Sequence, residues 1–372
     1  DAQVNSGATA KPYFPTTDRL NVPRIDYTGG GCGKLLLEPQ RTNLFTYSSE
    51  FDNAAWGKTT SGSAAAPVVT ANYAISPDGT QNADRVYFDA VGVSSSDRSG
   101  LVQNFAFTTG QVYTISAYAK SATGVNQILQ FRVAGVQVGG ELIATSEWQR
   151  FNVTFTATAT TTDNFGIQLR GDNTSNESDL ILYGLQLELG SYSTSYIKSE
   201  GAATTRLADS CSKTGISSLI GQTEGVLFVD FQLNQAPSDT NGRLLQLWAT
   251  NDTTNSILPL VNQSNQFQLA IFGSASGGAI IPASASTLLG LGQNKIAVAY
   301  TSTSFVVYRN GVLFASGDPT GFFPTSLTSL DLGGSSFAAR NLSNPVNQAI
   351  LFKTALSDNQ LADLTGGNKT TF

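Results

Sequence analysis

Apolar and polar residues alternate along much of this chain. Leu180, Leu182, Leu185, Leu187 and Leu189 mostly alternate with Ile181, Tyr183, Gln186 and Glu188, with one slip at Gly184. A period of two marks a half-buried strand, and a glycine inside it predicts a bulge or a close backbone approach. Runs of the same kind occur at 83–88, 112–119, 128–133, 148–155 and 165–169. After Gly190 the pattern lapses into small polar residues until Val226, a composition that marks a domain boundary. Strand-like runs resume at 225–233, 244–249, 267–272, 295–300, 304–314 and 346–352. Asn310-Gly311 predicts a type I′ hairpin, because both central residues of that turn need positive φ. One short helix is predicted near the end, with Ser357 as N-cap and Leu361 and Leu364 on one face.

The pattern predicts an all-β protein of two tandem β-sandwich (jelly-roll) domains at 46–190 and 213–372. Residues 191–212 read as a linker and 1–45 as an extended leader. Pro12, Pro15 and Pro23 exclude helix from the first part of the leader, where Tyr13 and Phe14 offer anchors for docking.

Composition agrees with two bodies. The 372 residues are 40% hydrophobic, enough for two cores. Only 13% are charged, so Ser, Thr, Asn, Gln and Gly carry the polarity, as in extracellular and virion β proteins. The net charge is −6 and the 21 Lys and Arg residues are scattered, which excludes a phosphate-tracking nucleic-acid surface. No run of 18 apolar residues is present, so no membrane span is expected. The chain has no signal-peptide pattern and no Met, even at position 1, and is expected to be processed or part of something longer.

Chemistry is sparse. With no His, Ser-His-Asp and Cys-His catalysis as usually built are absent. A glycosidase needs two carboxylates, yet Asp230, the one acid inside a predicted strand of the second body, has no acid two residues away. The chain is therefore not expected to be an enzyme. The glycines at 29–31 and 33 do not form a phosphate cradle, because Gly33-Lys34 runs into Leu35-Leu36-Leu37-Glu38-Pro39, which reads as a short buried strand and not as the start of a helix. Cys32 and Cys211 leave two readings: a disulfide tying leader to linker, and two separate thiols.

Residues 24–44, RIDYTGGGCGKLLLEPQRTNL, followed by FDNAAW at 51–56, resemble a recurring segment of bacteriophage virion appendage proteins such as tail fibres, head fibres and spikes. Residues 46–197, with a tryptophan-led strand and a final strand ending in Gly-Ser-Tyr-Ser-Thr-Ser-Tyr, are similar to family-4/9-type carbohydrate-binding modules. Residues 213–372 resemble the concanavalin A-like sandwich of the laminin-G kind, on the strength of the hairpin and the closing strand plus helix. These resemblances imply a virion structural protein that attaches to host surface polysaccharide. They also imply docking on other virion proteins through the leader, and a homo-oligomer, expected to be a trimer. The alternative is a purely structural decoration protein that binds other virion proteins.

Sugar binding rests on exposed aromatic rings flanked by polar groups. Trp56 and Trp148 read as core. Trp248, with Asn251 and Asp252 in the polar loop just after it, is the carbohydrate-binding candidate. Carbohydrate-binding sandwiches often hold calcium, and Asp172, Asn173 and Asp179 in the 171–179 segment are the candidate oxygen ligands. The alternative is an Asn/Ser/Asp turn that solvates a strand connection.

Overall fold

The computed structural model describes residues 24–27, 33–133, 136–209, 211–234, 236–237, 241–249, 255–273, 276–282, 284–333 and 344–367. These residues form two compact units, one of 41–206 and one of 24–40 together with 207–367. The protein is all-β, and its one α-helix among the described residues is Asp358–Gly366.

The first unit is a sandwich of two five-stranded antiparallel sheets. One runs in the order Val136–Ala144, Gln127–Val133, Thr161–Arg170, Arg98–Phe107, Gly57–Ser61. The other runs Gln149–Thr156, Val112–Ser121, Glu177–Leu189, Ala83–Asp89, Ala65–Ala74. Alternate residues of both sheets meet in one core, with Leu101, Phe131 and Phe165 from the first packed with Val86, Ile115 and Leu180 from the second. Trp56 is buried there, its indole N–H donating to the Tyr47 carbonyl at 2.8 Å.

The slip at Gly184 is a β-bulge. The register between Glu177–Leu189 and Val112–Ser121 shifts between Tyr183 and Gln186, and Gly184 has φ +63°. This returns Leu185 and Leu187 to the core. Residues 191–206, expected as linker, belong instead to this unit. Glu188 accepts from the Thr194 backbone N–H at 2.9 Å, and Gln186 Oε1 accepts from Ile197 N–H at 2.6 Å. The Tyr196 hydroxyl lies 2.5 Å from Ser48 Oγ and 2.6 Å from Ser49 Oγ. Thr204–Arg206 then pairs with Arg41–Asn43.

The second unit is also a sandwich. One sheet has the order Ile25–Asp26, Lys34–Leu35, Val346–Phe352, Glu224–Leu233, Gly292–Thr301, Phe305–Arg309, Val312–Gly317. The other follows Cys211–Lys213, Ser329–Leu332, Leu245–Trp248, Ser256–Asn262, Phe267–Gly273, Ser276–Ile281. The leader expectation is thus corrected for residues 24–40. Leu35 pairs with Val346, and Leu37 is buried in the second unit's core. Arg24 links the two ends of the unit, bonding Glu38 at 2.6 Å and forming a two-pronged pair with Asp209. Residues 1–23 lie outside the described set.

The hairpin forms as its sequence dictates. Arg309 pairs with Val312, and Asn310 and Gly311 take φ of 46° and 87°. Ser357 caps the helix in a capping box with Gln360. Pro259 sits inside Ser256–Asn262, between two neighbouring strands, where proline is rare because it cannot donate to a ladder. Its carbonyl accepts from Leu244 N–H, so the side lacking a donor faces the break between Asn241–Arg243 and Leu245–Trp248.

Candidate functional site

Alternation that buries one face of the first unit's first sheet presents a polar set on the other. Along Thr161–Arg170, Phe165, Ile167 and Leu169 enter the core, leaving Gly166, Gln168 and Arg170 on the outer face. Along Gln127–Val133, Leu129 and Phe131 point in and Gln130 and Arg132 point out. Registers align these residues in rows. Arg170 is opposite Arg98, which is opposite Ser61, and Gln168 is opposite Gly100, which is opposite Thr59. On the other side Gly166 is opposite Arg132 and Ile167 is opposite Phe131, which places Gln168 and Gln130 on the same outer face. Gly100 leaves room for this arrangement, since a Cβ there would lie 2.8 Å from Thr59 Oγ1 and 3.2 Å from Gln168 Nε2.

The polar set is knitted together at one end. Arg132 Nε donates to Gln130 Oε1 at 2.8 Å, turning back along its own strand towards the Arg170 end. Asn173 Nδ2 donates to Gln130 Oε1 at 3.1 Å and to Glu141 Oε1 at 2.6 Å, and Thr174 N–H donates to the same Glu141 oxygen at 3.1 Å. Arg170 Nη1 donates to the Ser95 carbonyl at 2.9 Å. Gln130 is 1% exposed, and Arg132 and Gln168 are each 8% exposed. Gln130 Nε2 and Gln168 Oε1 are buried with no hydrogen-bond partner among the described residues. Most buried polar atoms in folded proteins are paired, so a donor and an acceptor left open on one face ask for an occupant.

Positive charge gathers on the same face. Burial lowers the Arg132 pKa to about 10 and the neighbouring Arg170 charge adds to the effect, with Asp172 and Glu141 opposing it. Arg170 is lowered by burial and then by Arg98. Glu141 lies below the usual carboxylate range: burial opposes its ionisation, but the bonds from Thr174 and Asn173 outweigh that. An anion or a hydroxyl-rich ligand suits such a surface; a cation does not.

The residues expected to form sites are distributed otherwise. Asp172, Asn173 and Asp179 do not make a calcium cage. Asp179 lies on the outer face of the second sheet, where both of its oxygens accept from Arg85, at 2.8 and 2.6 Å. Asn173 is spent on Glu141, Gln130 and the Arg170 N–H, and Asp172 is exposed. Among the described residues no group of three Asp, Glu or Cys side chains could hold a metal ion. Trp248 is half-buried at the end of Leu245–Trp248, out of phase with the core residues Leu245 and Leu247. Asn251 and Asp252 lie outside the described residues, as does Cys32, so neither the loop nor the disulfide is part of this description. Cys211 is half-buried against the second core, and burial, then Asp331, pushes its thiol up. Asp230 accepts from Gln293 and Asn347 and has no acid beside it in register, facing Lys295 and Gln348. A second acid, Asp331, lies buried in a strand of the opposite sheet, where no strand was expected.

Trp148 departs from its expected core position. It packs with Tyr118, Tyr183 and Tyr196 on the outer face of the second sheet, where Lys120 Nζ lies 5.1 Å from its ring centre. The arginine–glutamine face was missed in the sequence, although a signal exists there. Leu129-Gln-Phe-Arg132 and Ile167-Gln-Leu-Arg170 repeat one pattern, each placing Gln and Arg at the outward positions of a buried strand. In the second unit, a depression of ≈ 290 Å³ is lined by Arg309, Asn310, Val312, Leu313 and Phe314 of the hairpin.

Neither a protein-family model nor a curated protein sequence matches the chain. Parts of solved structures are similar to part of it. The carbohydrate-binding module CBM40 of the Ruminococcus gnavus IT-sialidase is 14% identical with a TM-score of 0.33, over 42% of this chain and 98% of that one. A heptameric SAP-like pentraxin from Limulus polyphemus is 13% identical with a TM-score of 0.32, over 40% of this chain and 71% of that one. Trypanosoma rangeli sialidase in complex with the inhibitor DANA is 14% identical with a TM-score of 0.32, over 40% of this chain and 23% of that one.

Proposed function

We propose that the chain is a glycan-binding protein whose first sandwich takes a sugar on the outer face of the sheet carrying Gln130, Arg132 and Gln168. The observation that supports this is the open amide pair, Gln130 Nε2 and Gln168 Oε1, set into a polar face. A sugar hydroxyl donates and accepts at once, so one group can satisfy both atoms. From the resemblance of residues 22–56, the protein serves on a bacteriophage appendage that attaches to host surface polysaccharide, docked on other virion proteins as a homo-oligomer.

The test is binding of the purified chain to a panel of bacterial surface polysaccharides. Wild type is compared with Gln168→Leu and Gln130→Leu, with folding of each checked by thermal melting. Saturable binding that falls at least tenfold in folded variants supports the reading. Binding unchanged in both variants, or no binding to any polysaccharide, sinks it.

A further inference from the structure

We propose that the depression at the tip of the second unit's hairpin binds a small monocarboxylate with an apolar body, an aryl or short alkyl acid. Its carboxylate meets Arg309 and Asn310, and its hydrocarbon lies against Val312, Leu313 and Phe314. The site belongs to the other sandwich from the glycan face and does not depend on that reading.

The hairpin's register builds the walls. Arg309 pairs with Val312 and Tyr308 with Leu313, but Val307 pairs with Ala315, so Phe314 is the extra residue of a β-bulge. Bulges re-aim side chains. The Phe314 ring meets Phe267 of the opposite sheet, with ring centres 5.9 Å apart. It also lies under Arg309, whose guanidinium carbon is 5.6 Å from the ring centre. Arg309, Asn310, Val312, Leu313 and Phe314 line one depression of ≈ 290 Å³, close to the lower end of the range for small-molecule sites.

The polar groups here are donors of fixed sense. Arg309 Nε donates to Oδ1 of the fully buried Asn294 at 3.0 Å, and Nη1 donates to the Leu288 carbonyl at 3.1 Å. These bonds hold the guanidinium in place without using Nη2. Asn310 Oδ1 accepts from the Lys295 backbone N–H at 2.8 Å, a group that can only donate. The Asn310 amide is therefore fixed with its Nδ2 donor at the free end. No acid among the described residues pairs with Arg309. Burial alone lowers its pKa, whereas at Arg132 nearby carboxylates oppose the shift.

A cation and an amide donor beside three apolar side chains select the ligand. A carboxylate only accepts, and its bonds from a guanidinium are charge-assisted. A bare inorganic anion would leave the apolar walls uncovered, and sugar hydroxyls would meet hydrocarbon there. An apolar body removes that surface from water.

The experiment titrates the isotope-labelled full chain with hexanoate and with benzoate, read by NMR at the amides of 309–314. Hexanol and benzyl alcohol test the need for charge, and acetate tests the need for the apolar body. The expected result is a saturable shift with the two acids, and at least tenfold weaker binding of the alcohols and of acetate. Arg309→Gln is expected to lose at least tenfold. Because that variant also gives up the Asn294 bond, Val312→Ser and Leu313→Ser, both at exposed positions, are measured beside it. Each is expected to weaken binding at least threefold with an unchanged melting temperature. Alcohols that bind as tightly as the acids overturn the carboxylate assignment, and acetate that binds as tightly as hexanoate overturns the apolar one. Binding unchanged in both serine variants places the ligand elsewhere and removes the site, as does the absence of any shift with either acid. Polysaccharide binding is expected to be the same in all three variants, so this result and the glycan result are read separately.

Discussion

The Tyr196 ring lies over Gly184, and a Cβ at that glycine would sit 3.1 Å from two of its ring carbons. Gly184 also has φ +63°, a backbone conformation costly to any residue with a side chain. Gly184→Ala is expected to lower stability by about 1–3 kcal/mol, combining backbone strain with displacement of the ring. Urea unfolding of the variant, followed by tyrosine fluorescence, reads this directly. A change within experimental error would mean that the ring moves away freely.

Asp78 carries an acid-dependent part of the stability. Its carboxylate accepts from the Thr80 backbone and hydroxyl, Ser76, Asn82 and the Tyr183 hydroxyl, so its pKa is far below 3.8 although burial opposes this. A folded-state pKa below the unfolded one stabilises at pH values above 3.8 and is lost as the pH falls towards the folded value. Asp78→Asn is expected to cost about 1–3 kcal/mol at neutral pH and distinctly less at pH 2, where part of the stabilisation has been lost. Denaturation curves at the two pH values test the difference; an equal loss at both refutes the assignment.

Gln168→Leu is expected to leave the melting temperature unchanged or raise it. It removes a buried carbonyl oxygen without a partner among the described residues, an arrangement that costs about 1–3 kcal/mol. Gln130→Leu removes an equally open N–H group but also strands Arg132 Nε and Asn173 Nδ2, so it is expected to lower the melting temperature. A clear loss of stability in Gln168→Leu would show that its amide is satisfied within the fold and is not held open for a ligand.

Ser357→Ala is expected to destabilise the second unit by about 1 kcal/mol through loss of the helix cap. The hairpin should feel it as well, because the Gly311 N–H donates to Thr365 Oγ1 at the far end of that helix. Hydrogen exchange at the amides of 310–313 reports the coupling.

The local signals in the sequence carried far. The slip at Gly184, the Asn310-Gly311 turn and the Ser357 cap each depend on a few neighbouring residues, and each forms as its chemistry requires. What escaped depends on partners distant in sequence. The run from Leu35 reads as a short buried strand, but its pairing with Ile25–Asp26 and with the distant Val346–Phe352 does not show in the sequence. Ser256–Asn262 was hidden by Pro259, which is tolerated because the neighbouring ladder breaks opposite it. Trp148 looked like core because size favours burial, but it shares the outward side of its sheet with Tyr118 and Lys120. Gln130 and Gln168 belong to different strands, and they share one face only once those strands are paired.

A fragment of 207–372 alone is expected to fold poorly. It lacks Leu37 from the core and leaves Asp209 without Arg24. Adding residues 24–40 as a separate peptide should raise its melting temperature, with Arg24→Ala weakening the rescue. A fragment as stable as the whole chain would show that these residues are dispensable.

The second unit's dependence on residues from both sides of the first has a temporal side. During synthesis the 24–40 segment leaves the ribosome before the first unit, and its sheet partner Val346–Phe352 leaves only after that unit. Residues 41–206 can close into their own sandwich in the interval, since domains generally fold as units while the chain is made. The early strands must meanwhile wait without Val346–Phe352. Premature termination between residues 207 and 346 therefore yields a folded first sandwich that trails an orphan edge, a species recognisable to proteases and to aggregation partners alike.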